Sequence, residues 1–392
     1  MTGVTLLSYH WFLIMNKLKK LVPFRLSLIF LLCIFSVYPS VSVFAQAQDT
    51  KSTTAPTAAI KVLMVGNSFS RDAATYLGDL AHTGGKNIVL LNAFNPGCSL
   101  SGHVNGINAA EKDPQSPQAR MYTHEGSLGG GASLGANFSL REALESDKWD
   151  YVTIQQASAN SYDPKTYEPF AAQLVAYIRK YAPQAEILVH ETWAYREDDE
   201  LFKDGSFTSD KMHEELQAAY TQLAKNYHLR MIPVGDAFQA ARHTDRWHFV
   251  PDPNYDLAHP TPGVSPDQKG SLNVGFGWDW NNKKFSGDTH HLNASGKYLG
   301  SAVLYEALFG ESVKDVAFCP KELDADSAAD LRRIADETEQ DQKKQDAINI
   351  PSAADSTSTT NTTQPATDSP PATNSTQPAT NTNAQPSAVP NP

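Results

Sequence analysis

The segment GDTHHLN places Asp288 three residues before His291. One turn of chain at that spacing can set a carboxylate against one ring nitrogen of the imidazole and leave the other facing outward. That is the arrangement of a general base held in a single tautomer. A base needs a nucleophile, and the run KVLMVGNSFSRDAATYLGDL, from Lys61 to Leu80, offers Ser68 in a Gly-Asn-Ser turn between an apolar strand and a helix. The position suits an exposed hydroxyl and equally suits a helix cap. Taken singly neither motif is specific, and Ser68 lacks the G-x-S-x-G elbow that usually presents a nucleophilic serine. His290, next to the base, reads as a neighbour of the site and not as a second catalyst. His190 with Glu191 reads as a satisfied histidine near the core. His243, His248 and His259 are scattered, no C-x-x-C or H-E-x-x-H spacing occurs, and neither a metal nor an organic cofactor is expected.

The elements that must bring these residues together alternate as strands and helices after about Ile60, which implies βαβ units and a parallel sheet. The runs IKVLMVG, NIVLLNAF, WDYVTIQQ, AEILVHETW and LRMIPVGDAF read as five strands. Ala73, Leu77 and Leu80 mark the buried stripe of the first helix. SLREALES reads as a short helix; Phe170, Leu174, Val175 and Ile178 mark another, and Met212, Leu216, Leu223 and Tyr227 a longer one. Tyr298, Ala302, Tyr305 and Phe309 give the last core helix its face. Continuous apolar strands require helices on both faces, so the expected fold is α/β: a three-layer α/β/α sandwich on a five-stranded, parallel, flavodoxin-like sheet. In such sheets the ligand crevice lies beyond the carboxyl ends of the strands, where strand order reverses. Ser68, Gly97, Gln156 and Thr192 all follow strand carboxyl ends and should share that rim.

Two connections are long. GSLGGGASLGANFS, from Gly126, reads as a mobile glycine-rich loop. The stretch from Trp247 to Gly287 has little helical period; it is either a packed surface excursion or a substrate wall in which Trp247, Tyr255, Phe276, Trp278 and Trp280 stack on sugar faces.

A chain of 392 residues, 41% hydrophobic and 19% charged, can bury one sizeable α/β core with segments left at both ends. Its formal net charge of -11, without a long Lys/Arg cluster in the body, argues against nucleic acid as a partner. Residues 1–47 read as a signal peptide: Lys17, Lys19, Lys20 and Arg25 precede the apolar run LSLIFLLCIFSV, and small residues at Ala45 and Ala47 suit cleavage. Residues 1–14 look like an upstream extension before Met15. The apolar run is short for a spanning helix, so cleavage and a secreted or periplasmic location are expected, with no stable membrane insertion afterwards. Cys33 lies inside the apolar run and follows Leu32, a poor lipoprotein signal. Cys98 and Cys319 would remain; two thiols in an oxidising compartment can pair, but sequence does not show that they meet. The catalytic domain is expected over 58–312, a polar helical extension that packs weakly if at all over 313–348, and a disordered Ser/Thr/Pro/Asn/Gln-rich tail over 349–392, in which TQPAT occurs twice.

The combination of motifs is far more specific than its parts. Strand-GNSFS at the start of the domain, a glycine after the second strand and D-x-x-H before the final helix together resemble the GDSL/SGNH hydrolase superfamily over Ile60 to Gly310. GNSFS with ETWAY is similar to a bacterial branch of it known chiefly as a domain of unknown function. The resemblance implies Ser68 as nucleophile, His291 as base and Asp288 as its orienter. It implies an oxyanion site from the backbone N–H of Ser68, at a helix N-terminus, and of Gly97 in NPGCSL. Asn67 stands where GDS has Asp. The superfamily's G-x-N-D block is absent; IQQASANS stands there instead, and Gln155, Gln156 or Asn160 is left to supply its amide, Gln156 being preferred. Thr192, Trp193 and Tyr195 are expected to line the cleft. The implied activity is a secreted serine esterase for small acyl groups, with O-acetyl groups of carbohydrate as the expected substrate. A glycan O-acetyltransferase and a non-catalytic glycan-binding or cell-envelope protein on a hydrolase scaffold are the alternatives. Oligomeric state is left open.

Overall fold

Runs of apolar residues covered on both faces build the centre of the molecule. The computed structural model describes residues 58–349 apart from 280 and 282. The signal segment, Cys33, Trp280 and the tail beyond residue 349 lie outside them. β1 (Ile60–Gly66), β2 (Ile88–Phe94), β3 (Tyr151–Ile154), β4 (Glu186–His190) and β5 (Arg230–Ile232) form one parallel sheet in the order β2-β1-β3-β4-β5. Val62 to Val65 of the central β1 are 0% exposed, as a strand with neighbours on both edges and helices on both faces must be. The helices are α1 (Ser68–Ala73), α2 (Leu77–Thr83), α3 (Leu100–Lys112), α4 (Leu140–Glu145), α5 (Phe170–Tyr181), α6 (Ser209–Tyr227), α7 (Val234–Arg242), α8 (Ala294–Phe309) and α9 (Ala325–Asn349). One layer unites α3, α4 and α5, and another unites α1, α2, α7 and α8. The expected three-layer α/β/α sandwich is therefore present. Strand order reverses between β1 and β3, so the crevice opens beyond Gly66 and Ile154.

Several local expectations are corrected. The first helix is broken: the Ser301 hydroxyl accepts the Tyr76 N–H at 2.9 Å and donates to the Ala73 carbonyl at 2.7 Å, satisfying backbone groups that the break between α1 and α2 would strand. The fifth strand stops at Ile232 because Pro233 has no N–H for the ladder, and VGDAF opens α7, whose Asp236 N–H donates to Glu191 Oε2 at 2.8 Å. The glycine-rich segment is no loose loop. Leu128 and Leu90 exchange backbone hydrogen bonds of 2.8 and 3.0 Å, and the segment caps the outer edge of β2. Gly130 must be glycine there, since a Cβ would stand 2.5 Å from the Leu90 carbonyl carbon.

The stretch before D-x-x-H contains an antiparallel hairpin, β6 (Asn273–Asp279) and β7 (Lys284–Leu292). Asp288 and His291 thus lie on the end of a strand that leads into α8. Trp247 is buried, and its indole N–H donates to Asp330 at 2.9 Å. Tyr255, Phe276 and Trp278 gather around Phe285 of the hairpin.

The polar extension also departs from expectation, because α9 packs firmly on α7, α8 and β5. Ala328, Leu331, Ile334 and Ala335 are buried in the core, and Asp336, Glu339 and Gln342 carry the same stripe onward as buried polar groups. Glu339 is 2% exposed, and among the described residues none bonds its Oε2. Burial, reinforced by Glu306 and Asp346, pushes its carboxyl up to about 8 from 4.5. Between those values the folded state keeps a proton that the unfolded chain has released, so stability falls as pH rises from 4.5 towards 8 and stays lowered above it. Glu339→Gln removes that loss. The variant is expected to melt with the native protein near pH 5 and roughly 5 °C above it near pH 9, as read by thermal unfolding.

Candidate active site

Ser68 opens α1 immediately after Asn67, whose side chain sets the turn. Asn67 Oδ1 accepts the Phe69 N–H at 2.9 Å and the Gln155 amide at 3.0 Å, and its Nδ2 donates to the Cys98 carbonyl at 3.0 Å. One side chain thereby ties the serine turn to the ends of β2 and β3. An amide can both accept and donate, whereas an aspartate in its place would lose the bond to Cys98.

His291 reaches this turn from a point 223 residues away, its Nε2 2.8 Å from Ser68 Oγ. Its Nδ1 lies 2.8 Å from Asp288 Oδ2, while Asp288 Oδ1 accepts the N–H groups of His290 at 3.2 Å and His291 at 2.9 Å. The bond to Asp288 holds the imidazole above its ordinary value against the opposing effect of burial, and the charge of Asp72 adds to the rise. For Asp288 burial works upward, but the bonds from His291 and the two N–H groups outweigh it and hold the carboxyl well below its usual range. With Asp288 held as the carboxylate, Nδ1 carries the proton and, in the neutral ring, Nε2 is the acceptor that faces Ser68.

Sequence reasoning missed Asp72. It is 1% exposed and accepts the Leu292 N–H at 3.0 Å, pinning the end of β7 to α1 just beyond His291, while Arg71 meets its other oxygen at 3.0 Å. Asp72 stands four residues after Ser68, hence on the same side of α1, a signal available in GNSFSRD.

The hydroxyl opens onto a cleft of about 480 Å³ lined by Phe69, Arg71, Phe94, Gly97, Ser158 and His290 among others. Gly97 has φ +61, the conformation glycine adopts without strain. Among the described residues none accepts a hydrogen bond from the N–H of Ser68 or of Gly97. Two unclaimed donors therefore flank the nucleophile position.

Gln156 does not join them. Its Nε2 donates to the Thr166 carbonyl and hydroxyl at 3.1 and 3.2 Å, and its Oε1 accepts the N–H groups of Leu100 and Ala157 at 3.0 and 2.9 Å. With both ends of the amide consumed in the core, Gln156 fixes the β3 loop and has nothing left for an oxyanion. Gln155 is buried and donates to Asn67, and neither it nor Asn160 is among the cleft-lining residues. Thr192 and Trp193 are likewise buried and do not line the cleft. The Thr192 hydroxyl lies 3.1 Å from that of Tyr220. Trp193 stacks between Phe69 at 4.2 Å and Phe238 at 5.2 Å, and its indole N–H donates to the His290 carbonyl at 2.9 Å. It acts as a beam beneath the site. Tyr195, also buried, touches cleft residues from behind: its hydroxyl is 2.9 Å from Ser158 Oγ and its ring stacks on His290. The hairpin aromatics line no part of this cleft.

The two thiols do not pair. Cys98 is buried with its Sγ 3.5 Å from His103 Nδ1, burial raising the thiol to about 12, and Cys319 is exposed. His190 is wholly buried but not the satisfied histidine expected: among the described residues none bonds either ring nitrogen, and burial pushes it down to about 4. Among the described residues no group of three or more His, Cys, Asp or Glu side chains is placed to hold a metal ion, and no helix is long and apolar enough to cross a membrane.

The serine after β1, the glycine after β2 and the histidine of D-x-x-H before α8 thus meet at one cleft. The family model described as "Domain of unknown function (DUF4886)" matches residues 61–257, half of the chain. The crystal structure of a DUF4886 family protein from Bacteroides uniformis is similar at 25% identity and a TM-score of 0.55, over 72% of this chain and 95% of that one. An acetylxylan esterase from Geobacillus stearothermophilus is similar at 11% identity and a TM-score of 0.34, over 67% of this chain and 97% of that one. No curated protein matches. The chain belongs to the DUF4886 family.

Proposed function

We propose that this member of the DUF4886 family is a serine esterase that hydrolyses small acyl esters, with O-acetyl groups on carbohydrate as the substrate class. The observation that carries the reading is the continuous relay from Ser68 Oγ through His291 to Asp288, each step 2.8 Å. Ser68 attacks the ester carbonyl as His291 Nε2 takes its proton, and Asp288 holds the proton on Nδ1 and stabilises the imidazolium. The N–H groups of Ser68 and Gly97 receive the oxyanion. His291 then protonates the departing alcohol, and water, activated by the same imidazole, releases the acid. The amide that G-x-N-D would add has no replacement in the loop after β3, so turnover about 10²-fold below that of a three-donor site is expected. The acetyl and carbohydrate assignments both rest on the family resemblance, together with the expected export of the chain to a secreted or periplasmic location.

The test is product analysis with acetylated xylan and with a p-nitrophenyl ester series of increasing chain length. Free acetate from the glycan, and kcat/KM highest for the acetyl ester, are the expected results. Acyl transfer to a glycan hydroxyl faster than acetate release would make the protein an acetyltransferase. Background rates on every ester would leave a non-catalytic glycan-binding or envelope role.

A further inference from the structure

His290 adjoins the base in sequence but belongs to a different carboxylate. Its Nε2 lies 2.9 Å from Asp199 Oδ2, the oxygen that also accepts the Thr289 hydroxyl, while Asp199 Oδ1 accepts the Leu201 N–H at 2.8 Å. Asp199 is 6% exposed. The ring stacks on Tyr195 with centroids 3.7 Å apart, and the His290 carbonyl accepts Trp193 Nε1 at 2.9 Å and Asn273 Nδ2 at 3.2 Å. Yet 42% of the side chain remains exposed, and it lines the same cleft as Ser68. A solvated surface histidine needs no buried carboxylate, aromatic platform and doubly bonded carbonyl to hold it still. Such support is what a group that must meet a ligand at a fixed angle requires.

The support also decides what the ring offers. An ionised carboxylate only accepts, so Nε2 carries the proton and, in the neutral ring, Nδ1 is a hydrogen-bond acceptor. Among the described residues none bonds Nδ1. In the esterase reading the position of the alcohol follows from the chemistry: His291 hands its proton to the leaving oxygen, so the alcohol portion lies on the imidazole side of Ser68, away from the Gly97 N–H. His290 lies on the same strand end as His291 and lines the same cleft.

We propose that His290 Nδ1 accepts a hydrogen bond from a hydroxyl neighbouring the scissile ester, which makes the enzyme selective for esters of polyhydroxylated alcohols over esters of plain ones. The inference rests on the esterase reading and deepens it, naming His290 as the specificity-determining residue and Asp199 and Tyr195 as the positioning residues behind it.

The test compares glycerol monoacetate with n-propyl acetate, which share the acyl group and chain length and differ in their hydroxyls. The wild-type ratio of kcat/KM is expected to favour the glycerol ester by about tenfold or more. His290→Phe, which keeps a ring on Tyr195, should bring the ratio close to one. His290→Asn, whose side-chain oxygen can stand near the Nδ1 position, should restore part of it. A wild-type ratio near one, or a His290→Phe variant with the wild-type ratio, would overturn this inference and leave the esterase reading intact. Wild-type turnover of neither ester would sink both.

Discussion

Ser68→Ala is expected to lower kcat/KM for short-chain esters by on the order of 10⁴- to 10⁶-fold, the loss seen when the nucleophile of a serine hydrolase is removed. The size follows from the geometry: Ser68 Oγ is bonded to His291 alone, and the oxyanion donors are useful only once a covalent bond forms at that oxygen. The fold should not notice. The turn is held by Asn67, which caps α1 through Phe69 and ties it to Gln155 and Cys98. Steady-state acetate release and a thermal melt on the same preparations check both halves; a variant that keeps a tenth of the rate would place the chemistry elsewhere.

Asp288→Asn is the second large effect, with two separable signatures. The rate should fall by about 10³- to 10⁴-fold, because an asparagine can present its N–H to Nδ1 and stabilise the wrong tautomer. The pH profile should move as well. His291 must be neutral to accept the serine proton, and the Asp288 bond holds it above 6.5, so the native kcat/KM should decline on the acid side with an inflection above that value. Without the carboxylate, burial dominates and the inflection moves to lower pH. A residual activity whose acid limb stays in place would show that Asp288 does not set the state of the imidazole.

The strands were legible because a fully covered parallel strand leaves an unbroken apolar run. Ser68, His291 and Asp288 were legible because one short segment on each side of the relay suffices to orient it. Residues whose direction depends on a loop were not. Gln156 follows β3 as expected but turns into the core, where Thr166, Leu100 and Ala157 exhaust its amide. Thr192 and Trp193 follow β4 yet pack inward, Thr192 on Tyr220 of α6 and Trp193 between Phe69 of α1 and Phe238 of α7, and no local pattern separates such a pair from one facing a cleft. In α9 the buried stripe runs from Leu331 through Ile334 into Asp336, Glu339 and Gln342, so hydropathy alone makes a packed helix look solvated. Asp72 is the instructive omission: its spacing from Ser68 was visible, but its partner is a backbone N–H of Leu292, which carries no side-chain signature.

The proposed mechanism requires a nucleophile activated across the fold, and a serine-directed fluorophosphonate probe reads that activation without any choice of substrate. Mapped by mass spectrometry on the full chain, the phosphonyl group should be found on Ser68 in the native protein and be lost in His291→Ala. Labelling of another serine, or labelling of Ser68 that persists undiminished without the imidazole, would contradict it.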